Sequence, residues 1–212
     1  MYDEWKPIYT ALATDIMDQM GYREQGMAHE IRPSRPDTWF AGPAMTLDAY
    51  ENHENHPDPY GKIFEAYDLV KPGDVIVVAT NGELRSGLWG ELLSTAAKAR
   101  GVESVVTDGL VRDIRLMDEM GFNCFCRGYS PLDSAGRCIP EKVNEPVRCG
   151  GVTVHPGDLV LADFEGIAVV PQAIRDEVFK KAQEKLEGEN TVRDELAAGA
   201  SPRAVFDKYG IL

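Results

Sequence analysis

The sequence has 212 residues, of which 43% are hydrophobic, 27% charged and 8% aromatic, a composition that suits a globular chain able to bury roughly 70% of the surface it exposes when unfolded. Its 35 acidic and 22 basic residues leave a formal net charge of −13, which argues against nucleic acid and anionic membranes as partners. The most apolar runs, Val75 to Ala79 and Ile167 to Val170, are far below the roughly 18 to 20 residues of a bilayer span, and the opening Met1-Tyr2-Asp3-Glu4 has no basic or long apolar leader character, so a cytoplasmic location is expected.

No Ser/Gly/Pro linker or repeat interrupts the chain, and a single domain over residues 1–212 is expected. From Trp5 to Met20, the apolar residues Ile8, Leu12, Ile16 and Met20 recur every four positions and Gly21 follows, which predicts an amphipathic helix packed on a sheet. Phe40 to Leu47 reads as a strand, and the Asn-, His- and Pro-rich run near residues 50–60 as a long irregular loop of the kind that often carries function. Asp74 to Thr80 predicts a buried strand, Asn81 to Gly87 a polar loop, and Gly90 to Arg100 a helix closed by Gly101. Val102 to Val106 then reads as a strand, Asp108-Gly109 as a turn, Val111 to Met120 as a helix, and Phe122 to Arg127 as a third strand. This β-α-β-α-β order implies parallel strands with crossover helices and places two polar loops at strand carboxyl ends, where open α/β sheets bind ligands.

After residue 130 short strands and tight turns predominate. From Pro171 the chain turns helical, with Ile174, Val178, Ala182 and Leu186 at four-residue spacing and a last helix opened by Ser201-Pro202. The four cysteines, Cys124, Cys126, Cys138 and Cys149, lack zinc-site spacing and read as buried reduced thiols.

The residues with the best chemical case are Arg112 and Asp113, just beyond the Asp108-Gly109 turn. An arginine fork beside a carboxylate can bind an organic acid while the carboxylate holds a divalent cation. An aspartate in a helix's first turn also serves as a simple partner of the free amides. Glu91 lies 21 positions before Arg112, one helix plus one strand away, so Glu91 and Asp113 can converge on one cleft with the arginine. The Ser86-Gly87-Leu88-Trp89-Gly90 loop adds amides at a helix N-terminus, suited to a substrate carboxylate. His53 and His56 in the long loop lack a helical zinc-binding context. No serine nucleophile elbow, phosphate-binding loop or dinucleotide fingerprint is present.

Taken together, the run Trp89 to Ala97, Gly101-Val102, Asp108-Gly109 and Arg112-Asp113, continued by Arg127-Gly128, Ser130-Pro131, Asp133 to Arg137, Val154 to Leu159 and Asp163 to Pro171, resembles the 4-hydroxy-4-methyl-2-oxoglutarate aldolase family, which also includes the regulator of ribonuclease E activity A (RraA). The resemblance implies a swivelling β/β/α fold with C-terminal helices, assembled as a homotrimer or homohexamer with sites between subunits. It implies a metal-dependent aldolase that releases pyruvate and also decarboxylates oxaloacetate. Carried over residue by residue, Asp113 would ligate Mg²⁺ or Mn²⁺ directly and Arg112 would hold the ketone oxygen. Glu91, where the family usually has aspartate, would contact the metal through water. Amides of Gly90, Glu91, Leu92 and Leu93 would bind the substrate carboxylate. A glutamate from an adjacent subunit, matched by Glu189 with Glu187 two positions away, would complete the site. The cation would let so acidic a chain hold an anionic substrate. The His53/His56 loop departs from the family's usual Gly-Asp-Asn pattern and, with glutamate at position 91, leaves the substrate open. The competing class is a non-catalytic regulator that binds a ribonuclease.

Overall fold

The structure, a computed structural model, describes residues 2–211. The first helix, α1 (Thr10–Gln19), starts later than the periodicity suggests. Pro7 and the extended Tyr9 hold the preceding segment out of the helix, yet Ile8 is still buried. The chain continues through β1 (Arg32–Pro33), the long β2 (Phe40–Glu51) and a helix absent from the sequence reading, α2 (Gly61–Leu69). The irregular loop is confined to residues 52–60.

The central parallel region forms as expected. Strands β3 (Val75–Ala79), β5 (Ser104–Thr107) and β7 (Asn123–Cys126) are parallel, with β3 also parallel to β2. Val75 to Ala79 is buried throughout, the mark of a strand covered on both faces. Between these strands lie β4 (Gly87–Trp89), α3 (Glu91–Lys98), β6 (Leu110–Val111) and α4 (Ile114–Glu119), and β8 (Gly128–Tyr129) follows β7. Helix α4 therefore begins three residues later than expected. Val111 is committed to a strand, and Asp113 adopts left-handed dihedrals (φ 57°, ψ 25°) that no α-helix contains.

The remaining strands are β9 (Cys138–Val143), β10 (Val147–Cys149), β11 (Val152–Val154), β12 (Leu159–Asp163) and β13 (Gly166–Val170), followed by α5 (Arg175–Ala197) and α6 (Pro202–Tyr209). The main sheet runs β1-β7-β5-β3-β2-β12-β13, with β9 on the far half of β2. Strand β2 is long enough to serve three partners in turn: β12 antiparallel, β3 parallel and β9 antiparallel, the last with a bulge at Asp48/Ala49. A second parallel sheet, β4-β6-β8, stands beyond it. Helix α1 packs with α5 over β12 and β13, burying Leu12 and Ile16 against Leu161, Val170 and Val178, each such side chain contributing about 1.5–3 kcal/mol. All four cysteines are free and buried.

Candidate functional site

Each central strand of the main sheet continues through a turn into one strand of the small sheet: β3 into β4, β5 into β6, β7 into β8. The residues just past β4, β6 and β8 are Gly90, Arg112 and Ser130. Backbone bonds fix them relative to one another. The Arg112 amide donates to the Trp89 carbonyl at 2.9 Å, the Ser130 amide to Val111 at 2.9 Å, and the Gly87 amide to Leu132 at 2.9 Å. A fully buried pair supports the first loop: Trp89 Nε1 donates to Ser94 Oγ at 2.9 Å, and Ser94 Oγ donates to the Gly90 carbonyl at 2.9 Å.

Arg112 lies between two carboxylates. Its Nη1 is 3.1 Å from Asp133 Oδ2, and its Nε is 3.6 Å from Asp113 Oδ2. The Ala135 amide and the Arg112 guanidinium hold the Asp133 carboxyl below its ordinary range. Asp113 precedes α4 but gives no side-chain cap to it, although capping is the usual role of aspartate there. Its carboxylate instead faces Gly90, where a Cβ would lie 2.8 Å from Asp113 Oδ2 and 3.0 Å from Arg112 Cγ. Glycine at position 90 thus leaves room for both side chains. Having no side chain, Gly90 also leaves the first amides of α3, at Glu91, Leu92 and Leu93, without a cap.

These groups line a cleft of about 360 Å³. Arg112, Asp113, Asp133 and Ser134 form its polar side, and Leu88, Leu92 and Leu93 with α2's Tyr60, Phe64 and Tyr67 form its apolar side. Tyr67 joins α2 to α3 by donating its hydroxyl to the Leu93 carbonyl at 2.6 Å, and burial pushes that hydroxyl's pKa up, so it stays a donor.

Of the residues singled out from sequence, Gly90, Leu92, Leu93, Arg112 and Asp113 meet in this cleft. Glu91 is at the first position of α3, but its carboxylate accepts from Thr95 Oγ1 at 2.7 Å on its own helix and does not line the cleft. Glu189 lies on α5, where it accepts from Tyr9 Oη at 2.5 Å and pairs with Lys185 at 3.7 Å. It borders a separate groove of about 1260 Å³ between α1, α5 and α6. Glu187 is exposed. His53 pairs with Glu51 and His56 accepts from the Asp58 amide, and neither lines the cleft. The sequence reading missed Asp133 as a site residue. It lies 21 positions after Arg112, the same step that separates Glu91 from Arg112, and that repeated spacing past a third strand was the available signal.

No group of three or more His, Cys, Asp or Glu side chains forms a cation cage among the described residues. The donor set suits a different kind of binding. Mg²⁺ keeps most of its water and is typically held by one or two carboxylates plus substrate oxygens, and Asp113 offers one carboxylate with no helix-capping duty in an open cleft.

Comparison with known proteins identifies the family and the fold. The sequence profile of the RraA-like family, described as Aldolase/RraA, matches residues 10–169. A Halalkalibacterium halodurans protein provisionally named 4-hydroxy-4-methyl-2-oxoglutarate aldolase is 30% identical over 182 residues, covering 86% of this chain and 81% of its own. A Pseudomonas aeruginosa protein with the same provisional name is 32% identical over 136 residues, covering 64% of this chain and 79% of its own. Among solved structures, Streptomyces coelicolor RraAS2, described as an unusual member of the RNase ES inhibitor RraA protein family, superposes with a TM-score of 0.84 at 29% identity, covering 91% of this chain and 96% of that one.

Proposed function

The chain belongs to the RraA-like family of aldolases and RraA proteins, and on that premise we propose that it is a divalent-metal-dependent lyase that cleaves a 4-hydroxy-2-oxo acid by retro-aldol reaction to give pyruvate. The observation that carries this reading is Arg112 set between Asp113 and Asp133, with the Asp113 carboxylate turned away from helix capping and against Gly90.

In this reading the first-turn amides of α3 at Glu91 to Leu93 take the substrate's carboxylate. The Arg112 guanidinium donates to the 2-oxo oxygen, where negative charge grows as the C3–C4 bond breaks. Asp133, held anionic, keeps Arg112 aimed at that oxygen. A cation, Mg²⁺ or Mn²⁺, held by Asp113 with Glu91 and an adjacent subunit's Glu189 at its margin, would supply Lewis-acid withdrawal from the oxo group. Glu91, rotated from its Thr95 bond, or that Glu189 takes the proton of the C4 hydroxyl and returns it to C3 of the pyruvate enolate. Decarboxylation of oxaloacetate passes through the same enolate and is a second reaction of this site. Because Glu189 borders a separate groove in its own chain, this reading has it complete the site across a subunit contact, in the homotrimer or homohexamer that the family resemblance implies.

The test is pyruvate release from 4-hydroxy-2-oxo acids and from oxaloacetate, with Mg²⁺ or Mn²⁺ and again with excess EDTA. Release that EDTA abolishes supports the lyase. No release with metal present refutes it and leaves the second reading, favoured by the Streptomyces neighbour's description as an RNase ES inhibitor family member, in which the chain acts by binding a ribonuclease. Mixing Arg112→Ala with Glu189→Ala chains tests the shared site: mixed assemblies regain activity if the two residues meet across subunits, and stay inactive if each chain uses its own.

A further inference from the structure

The cleft is asymmetric in a way that bears on which oxo acid fits. The aldolase substrates of the provisionally named relatives are dicarboxylates by name, and a second carboxylate needs a second cation or donor set. Among the described residues of one chain, Arg112 is the one cation lining the cleft, it already sits between two carboxylates, and Glu189, the residue an adjacent subunit is proposed to bring, is a further carboxylate. The neighbouring cations are engaged elsewhere. Arg137 donates to the carbonyl oxygens of Asp133 and Ala135. Arg100 lies 5.0 Å over the ring of Tyr67, donates to the Tyr67 and Ala96 carbonyls and does not line the cleft. Lys62 pairs with Glu65 at 2.7 Å and Arg85 with Glu51 at 2.6 Å.

The rest of the lining is a largely aromatic and aliphatic wall, with Tyr60, Phe64 and Tyr67 beside Leu88, Leu92 and Leu93 among the lining residues. It runs out to the mouth, where Phe64 is 57% and Leu92 76% exposed. A substrate tail laid along it gains by burying apolar surface, whereas a carboxylate there loses hydration without a partner and faces Asp113, Asp133 and a chain of net charge −13.

We propose that the oxo acid this site takes carries an uncharged, apolar group on C4 in place of a second carboxylate; the inference rests on the lyase reading for its chemistry and on the cleft lining for its specificity. For such a substrate, 4-hydroxy-2-oxoheptanoate, the C3–C4 bond breaks and its electron pair goes to C3. The C4 hydroxyl loses its proton as the C4 carbonyl forms, and C3 takes up a proton, so the products are pyruvate and butanal with no other reactant. The matched dicarboxylate, 4-hydroxy-2-oxoheptanedioate, differs only at the end of its tail and gives pyruvate and succinic semialdehyde. Oxaloacetate, whose second carboxylate meets the same wall, turns over at a high KM.

The experiment compares kcat/KM for these two acids with the full chain and Mg²⁺ or Mn²⁺. The heptanoate is expected to lead by about tenfold or more; equal rates or a lead for the dioate overturn the inference. Leu92→Arg, at an exposed position, puts a cation on the apolar wall and is expected to narrow the ratio by about tenfold; an unmoved ratio counts against it. Calorimetry with the uncleavable acids 2-oxopentanoate and 2-oxoglutarate separates the two ideas. If neither hydroxy acid yields pyruvate, the lyase reading fails, and tighter binding of 2-oxopentanoate supports the specificity on its own. Tighter binding of 2-oxoglutarate refutes the specificity whether or not the chain cleaves.

Discussion

Gly90→Ala separates function from stability at this site. The added Cβ would lie 2.8 Å from Asp113 Oδ2, about 0.6 Å inside the 3.4 Å at which ordinary contact begins, and 3.0 Å from Arg112 Cγ. Gly90 is extended (φ −159°, ψ −169°), so alanine adopts its backbone without strain. The crowded atom is the end of a side chain in a half-open cleft, so the fold can yield cheaply by moving Asp113. A reacting group displaced by 1 Å can cost about a hundredfold, and a shift of roughly half that predicts a 10- to 100-fold loss of kcat/KM, about 1.4–2.7 kcal/mol in the barrier. Replacing glycine also lowers the entropy of the unfolded chain by about 0.4–1 kcal/mol, offsetting the crowding, so Tm should stay within about 4 °C of the parent. Pyruvate release coupled to lactate dehydrogenase reads the first quantity and thermal unfolding the second. Gly26→Ala, with nothing within 4 Å of its Cβ, is the control. A Gly90→Ala protein with parental kcat/KM, or one that loses activity only by unfolding, would refute the assignment of Asp113 and Arg112 to the reacting centre.

Arg112→Ala and Asp113→Ala should each lower kcat/KM by about 10²–10³-fold while far-UV circular dichroism stays unchanged, and Arg112→Lys should not rescue, since one ammonium cannot span both Asp113 and Asp133. Asp113→Gly should raise stability by up to about 1 kcal/mol by relieving a left-handed aspartate and still abolish turnover, as denaturant titration and the coupled assay would read. Asp133→Asn should lower activity about tenfold by freeing Arg112, with a small stability change because the pair is partly exposed. The Asp133 carboxyl is depressed in the fold, so its stabilising contribution is present above the usual carboxylate pKa of about 4 and is lost as pH falls through the lower folded value; the asparagine variant should lack that acid-side loss. Ser94→Ala leaves the buried Trp89 Nε1 without its acceptor and should cost about 1–3 kcal/mol, seen as a lower Tm.

What the sequence made legible follows from what periodicity and motif can encode. An unbroken apolar run such as Val75 to Ala79 has few alternatives to a strand buried on both faces, and the expected parallel order formed. Short elements carry no such signal. The strands Gly87–Trp89, Leu110–Val111 and Gly128–Tyr129 span two or three residues and exist because the larger strands beneath them continue into a second sheet. Helix Gly61–Leu69 escaped because it buries only Ile63, Ala66 and Tyr67 and starts without a side-chain cap. The motif singles out Arg112 and Asp113, but the sequence pattern places Asp113 in a helix, since nothing local in Val-Arg-Asp-Ile marks a positive φ. Asp133 was hidden because its role depends on Arg112, far away in sequence, while its own neighbours Pro131, Ser134 and Gly136 read as an ordinary turn. Glu91 illustrates the opposite limit: the spacing brings its backbone to the site, whereas its side-chain direction is decided by Thr95 on the next turn.

The stacking of a small sheet on a larger one explains how such short elements hold reacting groups firmly. A two-residue strand has little stability of its own, yet Val111 is fully buried and bonded through its carbonyl to Ser130, while the next amide, Arg112, is bonded to Trp89. Arg112 is therefore fixed at its backbone by the ladder and at its guanidinium by Asp133. The Asp113 carboxylate is held more loosely, 3.6 Å from the Arg112 Nε. The residue is held from behind, by the turn that makes its φ positive and by α4, whose Leu116 and Met117 amides bond its carbonyl oxygen. The scaffold thus fixes the backbone of both residues and leaves the Asp113 carboxylate with a long ion pair to Arg112 and no helix-capping bond, an arrangement that suits a group meant to accept a cation and a substrate from solution. Conformational strain at such a position persists only when the surrounding structure enforces it, and here the backbone bonds of Val111 and Arg112 before Asp113 and the α4 amides after it flank the strained residue on both sides.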